Sequence, residues 1–205
     1  MQRLVAALPA DHAIRITVFG SAPLQLGVDA RFLSADVDIF CSQNLAQIIE
    51  NAGLGASQSA IYVQQNDDLV FRASPTWPQR AFEWRQGQIT LVFPHPIDIL
   101  IAKLPRLEPK DLSAFRLVLQ KTGHPTPDEL RTALMGNVDL FRPAFDEENS
   151  GDPLANTQRL WRELYSLSID VRAEIIRPAL ERRRRAYDDG PDQKQALREI
   201  GEAQS

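Results

Sequence analysis

Cysteine is nearly absent: the single one, Cys41, allows no intrachain disulfide and gives no sign of an oxidising compartment. Histidine is scarce too. His12, His95 and His124 stand apart from one another and from Cys41, so the ligand spacing of a zinc site does not occur. Positive charge is not in excess: 23 Lys and Arg face 27 Asp and Glu, for a net charge of -4. That balance excludes a general electrostatic binder of nucleic acid, which concentrates cations to displace counterions from phosphates. Any nucleic-acid contact has to be local. No stretch approaches the roughly 18 apolar residues of a membrane span. Met1 to Pro9 also lacks the apolar core and cleavage site of a signal peptide, so the expectation is a cytoplasmic protein with no membrane association. Internal repeats and low-complexity tracts are missing as well.

What remains is an ordinary globular composition, 43% hydrophobic and 24% charged over 205 residues. The length suits one sizeable core with an appendage, or two small domains. Ile14-Arg15-Ile16-Thr17-Val18 alternates apolar and polar residues and predicts a strand with Ile14, Ile16 and Val18 on one face. Phe19-Gly20-Ser21 ends it in a sharp turn, and a short helix is expected through Pro23, Leu24 and Leu26. A second strand, Val37 to Phe40, points Val37 and Ile39 one way and Asp36 and Asp38 the other. Ser42 is the expected cap of a helix carrying Leu45, Ile48 and Ile49, stopped by Gly53 and Gly55. Ile61 to Gln64 and Leu69 to Ala73, separated by Asn66-Asp67-Asp68, predict a hairpin, and Phe82 to Arg85 with Ile89 to Phe93 predict another about Gly87.

Beyond Pro94 the pattern turns helical. Ile97 to Leu104 and Leu112 to Lys121 carry helical apolar spacing, broken at Pro105 and restarted after Pro109. Thr126-Pro127-Asp128-Glu129 has the form of a capping box. Phe145 to Asn156 predicts a linker or exposed loop. Leu160, Leu164, Leu167, Val171 and Ile175 predict one long amphipathic helix from about Asn156 to Arg177. Its apolar stripe needs a partner, either its own domain or a second copy of the chain. The tail after Asp188 is expected to fray. The fold class is therefore α+β: a mixed sheet flanked by helices over residues 1–122, then a mainly helical region over 123–205.

The chemistry is concentrated where Gly20-Ser21 is followed, after a loop, by Asp36-Val37-Asp38. Two carboxylates one strand-repeat apart suit a hard divalent cation that prefers oxygen ligands. Amides in a turn suit the oxygens of a phosphate. In this order the residues resemble the nucleotidyltransferase superfamily typified by DNA polymerase beta. With Arg31 and Ser34 ahead of the acids, they also resemble the minimal bacterial nucleotidyltransferases of abortive-infection and toxin-antitoxin systems. A second block, Pro96 to Leu104 with Lys103, then Arg106 and Lys110-Asp111, is similar to the segment in which those enzymes carry a lysine, a basic residue and an aspartate.

The resemblance implies a nucleotidyltransferase-type sheet and transfer of a nucleoside monophosphate from a triphosphate to an acceptor hydroxyl on tRNA, protein or a small molecule. It implies magnesium or manganese on Asp36 and Asp38, phosphate contacts from Gly20, Ser21 and Lys103, and accessory roles for Arg31, Ser34, Arg106 and Asp111. It also implies a toxin-antitoxin partner as one setting for the chain. Read without it, Lys103 and Arg106 are helix-surface charges and Asp111 favours a helix start. Many active members place a third carboxylate on a later strand, but Ile89 to Phe93 carries none. Asp98 is the replacement offered by the sequence, with helix capping as its other explanation. The missing acid motivates the alternative of a non-catalytic binding module or antitoxin. Arg182 to Arg185 is either an RNA-phosphate contact or a solvated helix end, and Trp77, Trp84 and Trp161 are expected in packing roles.

Overall fold

The computed structural model describes residues 1–30, 32, 35–67, 71, 73–142 and 151–188. Its centre is a five-stranded mixed sheet ordered β3-β2-β1-β5-β4. The strands are β1 (Ile14–Val18), β2 (Asp36–Phe40), β3 (Tyr62–Asn66), β4 (Phe82–Gln86) and β5 (Ile89–Phe93). β2 runs antiparallel to β1 and parallel to β3, while β5 runs parallel to β1 and forms a hairpin with β4 about Gly87. Three short helices accompany this part: α1 (Gln2–Ala7), α2 (Ala22–Gly27) and α3 (Ala46–Asn51). The helical part follows as α4 (Pro96–Lys103), α5 (Pro109–Thr122), α6 (Pro127–Gly136), α7 (Pro153–Tyr165) and α8 (Arg177–Asp188).

The sheet separates two apolar layers. The strand period sends Ile14, Ile16, Val18 and Ile39 to one layer, where they meet Leu4 and Val5 of α1 and Ile49 of α3. On the other side Phe19 and Leu24 join Ile99, Leu100 and Ile101 of α4, Phe115 of α5, Leu130 and Leu134 of α6, Leu160 and Trp161 of α7, and Val171 and Ile175. Phe40 packs against this second layer and Val37 against the first. The alternation in β2 thus turns Asp36 and Asp38 toward the layer that contains α4.

Four local expectations change. β3 is an outer strand paired in parallel with β2, and Asn66 is its last residue rather than the start of a turn. Residues 68–70 and 72, within the expected partner strand Leu69 to Ala73, lie outside the described residues, and neither Phe71 nor Ala73 is in a strand. Ser42 does not cap α3; the Asn44 side chain accepts from the Ala46 amide at 2.9 Å. The single long helix expected from Asn156 to Arg177 is interrupted. Ser166 takes a left-handed conformation (φ 55°) that closes α7, and the chain re-enters helix through a π-helical turn, Arg172–Ile176, leading into α8. The capping box at Thr126 forms as expected, with Glu129 accepting from the Thr126 amide at 2.8 Å. The tail after Asp188 and residues 145–150 of the expected linker lie outside the described residues, while the last four residues of that linker, 153–156, are helical and open α7. No helix among the described residues is long and apolar enough to cross a membrane.

Candidate functional site

The turn after β1 and the acids of β2 are built against each other. Phe19 donates its amide to the Asp38 carbonyl at 2.9 Å, continuing the β1–β2 ladder past the last strand residue. Gly20 then turns with φ 68°, a region that L side chains rarely occupy. A Cβ there would lie 2.3 Å from Oδ2 of Asp38, inside any allowed contact. Glycine is required twice over, by its torsion and by the carboxylate that occupies the side-chain position. Ser21 follows as the cap residue of α2, and its hydroxyl makes no capping bond. At the start of α2 Pro23 has no N–H, and the Leu24 amide donates to the Ser21 carbonyl at 3.1 Å.

Asp38 is half-buried, and Asn66 donates to its Oδ1 at 3.0 Å. Its carboxyl is pushed above the ordinary 3.8, first by burial and then by the charge of Asp36; Asn66, Lys103 and Arg106 pull the other way. Two acids are thus held close enough to repel, with two cations acting on the same carboxylate. Lys103 ends α4 and Arg106 lies in the link to α5. Both are held by Asp111, which is fully buried: Arg106 Nε is 3.0 Å from Oδ2 and Lys103 Nζ is 3.4 Å from Oδ1. The Glu108 amide also donates to Oδ2, at 3.1 Å. Between them Leu107 is buried with φ 35°, an uncommon backbone state for a leucine, of the kind that persists only where its surroundings impose it. The strained link is what lets two cations and their acid converge from adjoining helices.

The expected residues therefore fall into two groups. Gly20, Ser21, Asp36 and Asp38 come together at one end of β1 and β2, with Lys103 and Arg106 acting on Asp38 and Asp111 anchoring both cations. Asp98 is used elsewhere. It is fully buried in the first turn of α4, and Arg80 grips both its oxygens, at 2.6 Å and 3.1 Å. Arg31 and Ser34 lie outside the described residues. Of the arginine run, Arg183 is engaged with both oxygens of Asp139, at 2.9 Å and 2.8 Å. Trp161 is a core residue, Trp77 packs edge-on against Phe71, and Trp84 is partly exposed on β4. Sequence reasoning missed Asn66, which carried turn chemistry, and Arg80, which carried no signal at all.

Two cavities, of about 730 Å³ and about 860 Å³, open elsewhere; neither is lined by Asp36, Asp38, Gly20 or Lys103. No protein-family model, curated protein or solved structure matches the chain.

The Gly20 position gives a direct test of this geometry. Gly20→Ala places a methyl group against the Asp38 carboxylate and forces an L residue into a conformation costing about 1–2 kcal/mol. The expected result is a melting temperature lowered by roughly 2–8 °C. Differential scanning fluorimetry reads it. An alanine variant that melts with wild type would show that the contact is dispensable.

Proposed function

We propose that the chain is a metal-dependent nucleotidyltransferase that moves a nucleoside monophosphate from a magnesium- or manganese-bound triphosphate to an acceptor hydroxyl. The observation that carries this reading is the seat formed by Gly20 and the Asp36–Asp38 pair, in which the side-chain space of the turn is taken by a metal-competent carboxylate.

The residues fit a divalent cation. Asp36 and Asp38 offer hard oxygen donors whose mutual repulsion a cation would relieve. No group of three or more protein ligands forms among the described residues, so a cation held here would complete its shell with phosphate oxygens and water, as magnesium does with triphosphates. When bound, it neutralises charge on the triphosphate and on the oxygens at which bonds form and break. The chain's own residues do the positioning. Ser21 and the backbone of the Gly20–Ser21 turn contact phosphate oxygens, and Lys103 and Arg106, steadied by Asp111, balance the remaining negative charge. The acceptor oxygen forms a bond to the α-phosphorus, the bond from that phosphorus to the bridging oxygen breaks, pyrophosphate leaves with the electron pair, and the hydroxyl proton passes to water.

A second reading has its own support. β5 carries no carboxylate and Asp98 is committed to Arg80, so a module that binds a metal–nucleotide without turnover, as an antitoxin or sensor would, fits the same seat. Calorimetry with each of the four triphosphates plus magnesium tests the seat. A labelled-triphosphate screen against tRNA, protein and small hydroxylated acceptors then separates the readings. Binding with label transfer and pyrophosphate release supports the enzyme, and tight binding without transfer supports the module. The absence of magnesium-dependent binding to any triphosphate removes both.

A further inference from the structure

β4 is an outer strand, paired with β5 on one side and with no described strand on the other. Such edges are normally blunted by proline, lysine, a bulge or a covering element. Phe82-Glu83-Trp84-Arg85-Gln86 contains no proline or lysine, and its register with β5 runs without a bulge from Phe82↔Phe93 to Gln86↔Ile89. Phe82 and Trp84, 65% and 38% exposed, project on the same face as each other. With the exposed Leu26 they line the cavity of about 730 Å³, whose other walls include Val5 of α1 and Leu91 of β5. The opposite face of the strand carries Glu83, whose carboxylate meets Arg15 and Arg85, each at 2.7 Å. An edge that is straight, apolar on one face and charged on the other is a template for another strand.

We propose that this edge takes β4 of a second copy of the chain, antiparallel, about a two-fold axis through Trp84, so that two sheets become one. The choice of occupant and register follows from charge. A two-fold between identical antiparallel strands has to pass through a residue, because opposed side chains must share a face. Centred on Glu83 or on Arg85, it sets like charges directly against each other. Centred on Trp84, it sets Glu83 against Arg85 of the second copy, twice by symmetry, and Phe82 against Gln86. Backbone polarity agrees. In a two-residue hairpin the closing residues, here Gln86 and Ile89, face each other's amides, so Gln86, Trp84 and Phe82 turn theirs to β5. Glu83 and Arg85 then present N–H and C=O at the open edge, where the Trp84-centred register pairs them. The two Trp84 side chains stack over the join and close the mouths of both cavities.

The full chain should sediment at twice 23.0 kDa at high concentration and dissociate toward 23.0 kDa on dilution. Glu83→Arg and Arg85→Glu, each setting like charges together, should each reduce the mass to 23.0 kDa, and the double swap should restore the dimer. That recovery separates a lost interface from a lost fold. A second measurement reads the register. Trp84→Cys should form an intermolecular disulfide under mild oxidation while Phe82→Cys does not, with no background from Cys41, which is buried. A chain that remains at 23.0 kDa at every concentration overturns the proposal and leaves the edge to an extended segment of another protein. A dimer indifferent to both single swaps, or cross-linking equally at 82 and 84, overturns it too.

Discussion

Asp38→Asn is expected to abolish magnesium-dependent triphosphate binding while leaving the ligand-free protein at least as stable as wild type. The substitution keeps the shape and the contact with Asn66 but removes the charge that would hold a cation. Transfer should fall by about 10²–10³-fold or more, the range seen when a group stabilising transition-state charge is removed. The stability half rests on linkage. The Asp38 carboxyl is raised above its ordinary 3.8 by burial and by Asp36, so between the unfolded and folded values the native state holds the extra proton. Stability contributed by this group is therefore greatest in acid and declines as pH climbs through the folded value. At neutral pH the ionised pair is a burden that asparagine removes. Melting curves of wild type and variant should converge as pH falls below 3.8, and the variant should equal or exceed wild type at pH 7. Magnesium with triphosphate should raise only the wild-type curve, because a ligand stabilises only the form that binds it. Wild-type affinity for magnesium triphosphate should also grow as pH rises through the Asp38 titration. A variant that binds magnesium triphosphate as wild type does sinks the assignment.

The largest structural effect should come from Arg80→Ala. It strands the fully buried Asp98 with neither of its two guanidinium bonds, and breaking a buried pair from one side costs about 3–5 kcal/mol. For a chain of this size that corresponds to a melting temperature lower by roughly 6–20 °C. Replacing both partners, Arg80→Met with Asp98→Leu, should recover much of the loss, because the pair's attraction mainly offsets its own desolvation. Denaturant titrations of the three proteins check this. If Arg80→Ala melts within 2 °C of wild type, an effect below about 1 kcal/mol, the pair is not what holds the start of α4.

These two acids also show where a sequence speaks and where it is silent. Asp36 and Asp38 were legible because period-two alternation in β2 fixes their face relative to Val37 and Ile39, and burial of Ile39 enforces it. Gly20 was legible as a turn, but not as a position whose missing side chain makes room for Asp38; that needs the pairing of β1 with β2, which no local pattern encodes. The role of Asp98 depended on Arg80, eighteen positions away across a hairpin. Asn66 misled because strand ends and turns share the same residue types, and only the parallel pairing with β2 decides between them. The helix expected to run from Asn156 to Arg177 failed for a related reason. Apolar spacing continues across the break at Ser166 because Leu160 before it and Val171 and Ile175 after it face one core, so the stripe survives where the helix does not.

That shared core constrains any attempt to dissect the chain. The layer holding Phe19, Leu24 and the buried face of α4 is the same layer that holds Leu130, Leu134 and Trp161, with no seam near Thr122. Excising the first 122 residues would uncover a continuous oily surface directly behind the Gly20 turn and the Asp36–Asp38 pair. The later helices serve the earlier sheet as its back wall, so a cut between the halves would destabilise both.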